Sequence, residues 1–245
     1  MSMLTPSLVS GGLLFNAFSG NVYTCMHYLE SNYKLIAGMG NGSIRFIDIL
    51  RDQKLCLWKS EAAEYSFKSL VSAICSSGSE KFHGETAIAS PSWITAGLST
   101  GYCRLLDTRC GNAIAFWRAH AGYITKLAAV EDHLLLSSSL DKTLRVWDLR
   151  RNLGTQANIF RGHQDGISSF SFWGRDVISI SRNKIALTSV SYSMEEVLEH
   201  KISPQKLYSI DRGISSPSTL SAICVLPYSR LFLVGTEDGY LNVCC

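Results

Sequence analysis

The chain has 245 residues and a formal net charge of +3, with 46% hydrophobic and 18% charged residues. That balance excludes a disordered chain, and so small a net charge argues against a nucleic-acid-binding domain, which needs a dense basic patch. No apolar run approaches the ~20 residues that span a bilayer, and the opening MSMLTPSLVSGGLLF has neither the basic start nor the compact apolar core of a signal peptide. The eight cysteines form no CxxC and no zinc-ligand spacing with the histidines. Most lie in apolar runs, so they read as buried free thiols of a reducing compartment.

In chain order, LLFNAF at 13–18 is an apolar strand candidate. From Val22 the chain reads VYTCMHY, KLIAGMG, a turn at Asn41-Gly42, SIRFID and KLCLWKS. This is strand, strand, tight turn, strand, strand, because Asn-Gly and Asp-Gly pairs suit a hairpin and Gly accepts positive φ. The order returns as SLVSAICS, SWITAGLS, the turn Thr100-Gly101, CRLLD and AIAFWRAH. It returns again as GYITKLAAV, HLLLSSSL, Asp141-Lys142, TLRVWD and TQANIFRGH. The fourth pass is GISSFSFW, RDVISISR, Asn183-Lys184, IALTSV and a weaker run, EEVLEHKIS. The fifth is TLSAICVL, RLFLVGTE, Asp238-Gly239 and YLNVCC. Two steps are longer than the others. They hold SSGSEKFHGETAIASPS and SPQKLYSIDRGISSPS, whose Gly, Ser and Pro mark loops.

Repeated units of ~40–45 residues, each a four-stranded meander, predict an all-β fold of antiparallel blades stacked radially, a β-propeller. Stacking explains strands that are apolar on both sides. The expected architecture is one domain, 1–245, with blades at 21–60, 69–118, 120–161, 163–203 and 217–245. The strand at 13–18 is expected to close the last blade. Five blades are visible, either a whole ring or part of a seven-bladed one.

The third repeat carries His120, Ser137, Asp141 and Trp147-Asp148, and the fourth carries Gly162-His163. With these residues the chain resembles the WD-repeat family. The resemblance implies a WD40-type propeller in which His120, Ser137, Asp141 and Trp147 form a buried hydrogen-bond network that holds the blade and does no chemistry. The fourth repeat has Asn183 and Ser189 where Asp and Trp are expected, and the fifth lacks both His and Trp. The family also implies that the loop entering a blade and the turn between its second and third strands share a face. That face gathers Arg118, Lys142, Arg161, Arg182 and Lys184, a basic patch suited to an acidic peptide, a phosphopeptide or a phosphoinositide head group.

The stretches CMHYLESNYKLIAGMGNGSIRFID, SSSLDKTLRVWD and LFLVGTEDGYLNVCC are similar to the carboxyl-terminal propeller of BEACH-domain WD-repeat proteins, the group of WD repeat-containing protein 81 and its plant counterparts. This implies a non-catalytic protein-interaction scaffold in endosomal or vacuolar membrane trafficking, cytoplasmic and peripheral on endosomal membranes, with no cofactor. The alternative is a propeller subunit of another assembly, such as a ubiquitin-ligase substrate receptor or a chromatin complex. GxSxG, P-loop and HExxH motifs are absent, which disfavours an enzyme. Cys244-Cys245 resembles the doubly prenylated end of small GTPases, but within DGYLNVCC it reads as the end of a buried strand.

Overall fold

The computed structural model describes residues 22–29, 33–50, 53–58, 69–77, 91–131, 133–151, 157–173, 176–189, 202–209, 219–226, 229 and 231–245. Every regular element among them is a strand, and the strands form five sheets. Blade 1 is β1 (Tyr23–Leu29), β2 (Lys34–Met39), β3 (Ile44–Asp48) and β4 (Gln53–Trp58). Blade 2 is β5 (Val71–Ser76), β6 (Trp93–Leu98), β7 (Tyr102–Asp107) and β8 (Ala113–Arg118). Blade 3 opens with β9 (Ile124–Glu131), β10 (Leu134–Ser139), β11 (Thr143–Asp148) and β12 (Ala157–Arg161). Blade 4 opens with β13 (Ile167–Trp173), β14 (Asp176–Ser181) and β15 (Lys184–Ser189). Two short strands follow, β16 (Ile202–Pro204) and β17 (Lys206–Ser209). Blade 5 is β18 (Leu220–Val225), β19 (Phe232–Thr236) and β20 (Leu241–Cys244).

Four apolar clusters lie between successive blades. Ile36 and Ile44 meet Val71 and Ile94 between blades 1 and 2, and Trp93 and Trp117 meet Ile124 and Trp147 between blades 2 and 3. Leu136 and Val146 meet Phe170 and Val177 between blades 3 and 4, and Ile178 and Ile180 meet Ile223 and Phe232 between blades 4 and 5. Blades 2, 3 and 4 thus bury both faces by having a neighbour on each side.

The approach is close enough to need glycine on the second strand. A Cβ on Gly38 would lie 2.6 Å from Val71 of blade 2, and one on Gly97 would lie 2.8 Å from Ile124 of blade 3. The turns joining second and third strands hold Gly42, Gly101 and Gly239 at positive φ. In blade 3 the same place falls to Lys142, at φ 71°.

Two expected boundaries are corrected. The fourth strand of blade 4 is β17, beyond the expected limit at 203. Residues 202–204 of that expected edge instead form β16, which runs parallel to β12 and gives blade 3 a fifth strand. The chain crosses from one blade to the other at Gln205, whose amide N–H donates to the Arg161 carbonyl at 2.7 Å. Gly162 permits the crossing, because a Cβ there would lie 2.8 Å from the Gln205 Cβ and carbonyl oxygen. Most of the run EEVLEHKIS and the strand at 13–18 lie outside the described residues.

Candidate functional site

Blade 3 builds a buried polar chain from β10, β11, the turn between them and the loop before the blade. His120 and Ser137 are almost wholly inaccessible, as is Trp147. The His120 Nδ1–H donates to the Asp141 carboxylate at 3.0 Å. That leaves Nε2 with its lone pair, which accepts the Ser137 hydroxyl at 2.8 Å. The Ser137 oxygen in turn accepts the Trp147 indole N–H at 2.9 Å. Every donor points the same way along the chain, so all four groups are satisfied without a charged imidazole.

Asp141 ties this chain to the turn. It accepts the Ala121 amide at 3.0 Å and the Thr143 hydroxyl at 2.6 Å, and pairs with Arg145 at 3.4 Å. Burial pushes the Asp141 carboxyl up, but the bonds from His120, Thr143 and the Ala121 amide outweigh it, so the group stays ionised well below the usual carboxylate range. Burial pushes His120 down by more than Asp141 lifts it, which keeps the ring neutral.

Ser137, His120 and Asp141 have the connectivity of a nucleophilic triad. The hydroxyl is nevertheless sealed inside the blade and its oxygen is occupied by the indole, so no substrate carbonyl can reach it. Asp148 is buried at the other end of β11. Its carboxylate holds the Arg150 guanidinium at 2.8 and 2.9 Å and Arg151 at 3.3 Å, and Arg150 keeps its pKa low.

In blade 4, His163 follows Gly162 and bonds two hydroxyls, Ser181 at 2.6 Å and Ser179 at 2.9 Å. Among the described residues it has no carboxylate hydrogen-bonded to it as Asp141 is to His120, and burial takes its pKa to about 4. The residue at the tryptophan place is Thr188 rather than Ser189. Thr188 pairs with Val177 as Trp147 pairs with Leu135, because the β14–β15 hairpin is one residue shorter than the β10–β11 hairpin. The missing indole is replaced by the Gln205 side-chain amide, which donates to Thr188 Oγ1 at 2.7 Å and lies 3.5 Å from Ser179. Sequence reasoning missed Thr143, Thr188 and Gln205.

It also missed a hydroxyl residue at the bulge of every inner strand: Thr24, Ser72, Thr125, Ser168 and Ser221. The signal was available as an apolar residue or tyrosine followed by Ser or Thr at each strand start. Two of these hydroxyls bridge to the next blade, Thr24 to the Val71 carbonyl and Ser168 to the Leu220 carbonyl at 2.8 Å.

Arg118, Lys142, Arg161 and Arg182 are exposed, and Lys184 is half-buried. All five lie at the end of their sheets that carries the β6–β7, β10–β11 and β14–β15 turns. Arg118 and Arg161 occupy equivalent places, each ending the fourth strand of its blade opposite the first residue of the third strand. Two acidic residues belong to the same turns and loops. Asp141 is engaged as above, and Asp165 lies in the loop beside Arg161. At the chain's last residues, Cys244 packs against the core between blades 4 and 5, and Cys245 is exposed.

Five antiparallel sheets stacked through apolar seams, with a His-Ser-Asp-Trp chain in one of them, make this protein a WD40-repeat β-propeller. The family model described as "WD domain, G-beta repeat" matches residues 111–148. The chain is 57% identical over 238 residues, 96% of its length, to Protein GFS12 of Arabidopsis thaliana. It is 32% identical over 151 residues, 61% of its length, to human WD repeat-containing protein 81. It spans only 14% of the first relative and 7% of the second. Among solved structures, a chain of a mitotic checkpoint complex superposes with a TM-score of 0.64 at 14% identity, over 89% of this chain and 59% of that one, which is a likeness of fold alone. No helix among the described residues is long and apolar enough to cross a membrane.

Proposed function

We propose that this propeller is a non-catalytic scaffold that docks other proteins through the turn-bearing face, in a BEACH/WD-repeat protein working in endosomal or vacuolar membrane trafficking. The similarity to GFS12 over 96% of the chain, with WD repeat-containing protein 81 beside it, is the observation that carries this reading. Fold alone gives only a platform. The network of blade 3 supports a structural role for His120, Ser137, Asp141 and Trp147, because each is consumed by the others.

The partner surface is Arg118, Lys142, Arg161, Arg182 and Lys184. Arg161 and Arg182 stand on neighbouring blades with their charge in water, where an acidic or phosphorylated segment can take bidentate bonds. Such a surface steers association more than it adds affinity, so binding should weaken with salt. Paired reversal, Arg161→Glu with Arg182→Glu, is expected to abolish capture of at least one acidic partner while the unfolding temperature stays unchanged. Undiminished recovery of every partner by the folded double variant rules out this face. Targeting of the tagged protein away from endosomal membranes rules out the trafficking assignment.

A further inference from the structure

The fourth strand of blade 3 does not end its sheet. β16 lies along β12 in parallel, with Ile202 opposite Ile159, Ser203 opposite Phe160 and Pro204 opposite Arg161. Under this cover Ile159 and Phe160 are 6% and 8% exposed. The Gln205 amide donates to the Arg161 carbonyl. In a parallel pair, every second residue of a strand turns both its N–H and its C=O to the neighbour. Ile159 and Arg161 are therefore the residues that face β16, and Pro204 fits because the amide hydrogen it lacks would point away from β12.

Blade 2 has the same edge without the cover. Phe116 and Arg118 of β8 stand where Ile159 and Arg161 stand on β12, by their register with the third strand. No strand among the described residues pairs with β8 on its outer side. Phe116 is 43% exposed and Ile114 55%. The Phe116 ring is nevertheless held in place. It stacks on Tyr102 at 4.9 Å and 9°, and the Arg104 guanidinium lies 5.8 Å from its centre. The run AIAFWR has no proline, and no charge before Arg118, so it lacks the devices that blunt an exposed edge.

We infer that the outer edge of β8 takes up, in parallel, a short extended segment of a partner protein, with a branched aliphatic residue beside Phe116 and an Asp or Glu two residues on, beside Arg118. Paired residues of parallel strands share a face, so the acid meets the exposed guanidinium of Arg118. The residue after the acid is glycine. Ala119 stands at the place of Gly162, where a Cβ would lie 2.8 Å from the Cβ and carbonyl oxygen of Gln205, so the guest has no room for a side chain there and must leave the edge. A second copy of this chain is the poorer occupant. Ile114 forms a bulge, with Ala115 opposite Leu105 and Ala113 opposite Leu106, which breaks the regular edge that two β8 strands need to pair along their length. The inference does not rest on the turn-bearing face, with which it shares only Arg118.

The fluorescent peptide TVISEG, with its Ile for the Phe116 place and its Glu for the Arg118 place, tests this by anisotropy against the 245-residue chain. Saturable binding is expected, and Phe116→Ala, shown to be folded by circular dichroism, should weaken it at least roughly tenfold. Main-chain pairing has its own signature. Methylating the peptide's Ser nitrogen, which faces the edge, should weaken binding at least roughly tenfold, whereas methylating its Glu nitrogen, at the place of Pro204, should change it less than about threefold. Replacing the peptide's Gly by Val should abolish binding to the native chain, and Ala119→Gly should restore it. The paired variant Arg161→Glu, Arg182→Glu should still bind TVISEG. No binding, equal sensitivity to the two methyl groups, or loss of binding in that paired variant overturns the proposal. So does a chain that is dimeric by analytical ultracentrifugation and turns monomeric with Phe116→Ala, which would put a second copy on this edge.

Discussion

Replacing Ser137 by alanine removes a single oxygen but strands two buried groups. The Trp147 indole N–H loses its acceptor and the His120 Nε2 loses its donor, and both side chains are almost fully inaccessible. An unpaired buried polar group costs about 1–3 kcal/mol, so the pair should lower stability by about 2–6 kcal/mol. Ser138 next to it is equally buried, yet its hydroxyl meets only Thr125, at 2.8 Å, which is partly exposed and can turn to water. Ser138→Ala should therefore cost about 1 kcal/mol. Urea unfolding followed by tryptophan fluorescence measures both variants at pH 7.5. Adding Trp147→Phe to Ser137→Ala removes one stranded donor, so the two changes should combine to less than their sum. Equal costs for Ser137→Ala and Ser138→Ala, or strict additivity in the double variant, would refute the one-directional chain drawn from His120 to Trp147.

Acid should destabilise the propeller through His163. Its folded pKa of about 4 lies below the ordinary 6.5, so the unfolded chain binds the extra proton and stability falls as pH drops from 6.5 toward 4. Between pH 7.5 and 5.0 the loss is about 2 kcal/mol; a urea midpoint that does not move over that range would contradict it. Lys142→Gly relieves a left-handed backbone that costs an L-residue about 1–2 kcal/mol, offset by about 0.5–1 kcal/mol of glycine entropy. Calorimetry should show no change or a small gain, and a clear loss would mean that the lysine side chain makes contacts that hold the fold. Gly162→Ala forces a Cβ against Gln205, which should cost about 1–3 kcal/mol. Faster hydrogen exchange at the Gln205 amide is the direct readout, and unchanged exchange would show that the crossing tolerates a side chain.

The hairpin frames were legible because their chemistry is local. Gly42, Gly101 and Gly239 mark positive φ, and apolar runs flank each turn. The blade 3 chain was legible through a resemblance, since His120, Ser137, Asp141 and Trp147 come from separated elements that only the register brings together. Blade 4 was misread for two physical reasons. A turn shorter by one residue moves every later side chain by one place, so Thr188 rather than Ser189 faces His163's partners. The replacement for the indole comes from Gln205, outside the hairpin, and nothing in IALTSV announces it. Blade exchange at β16 was illegible because three residues of strand carry no periodicity.

That exchange bears on how the chain is made. Synthesis delivers β12 long before β16, and the edge of β12 has no partner on that side until residues 202–204 emerge from the ribosome. Blade 3 therefore cannot complete its sheet during translation until the first three strands of blade 4 have been released. The two blades mature together, and a nascent chain halted between them presents a bare strand edge to chaperones.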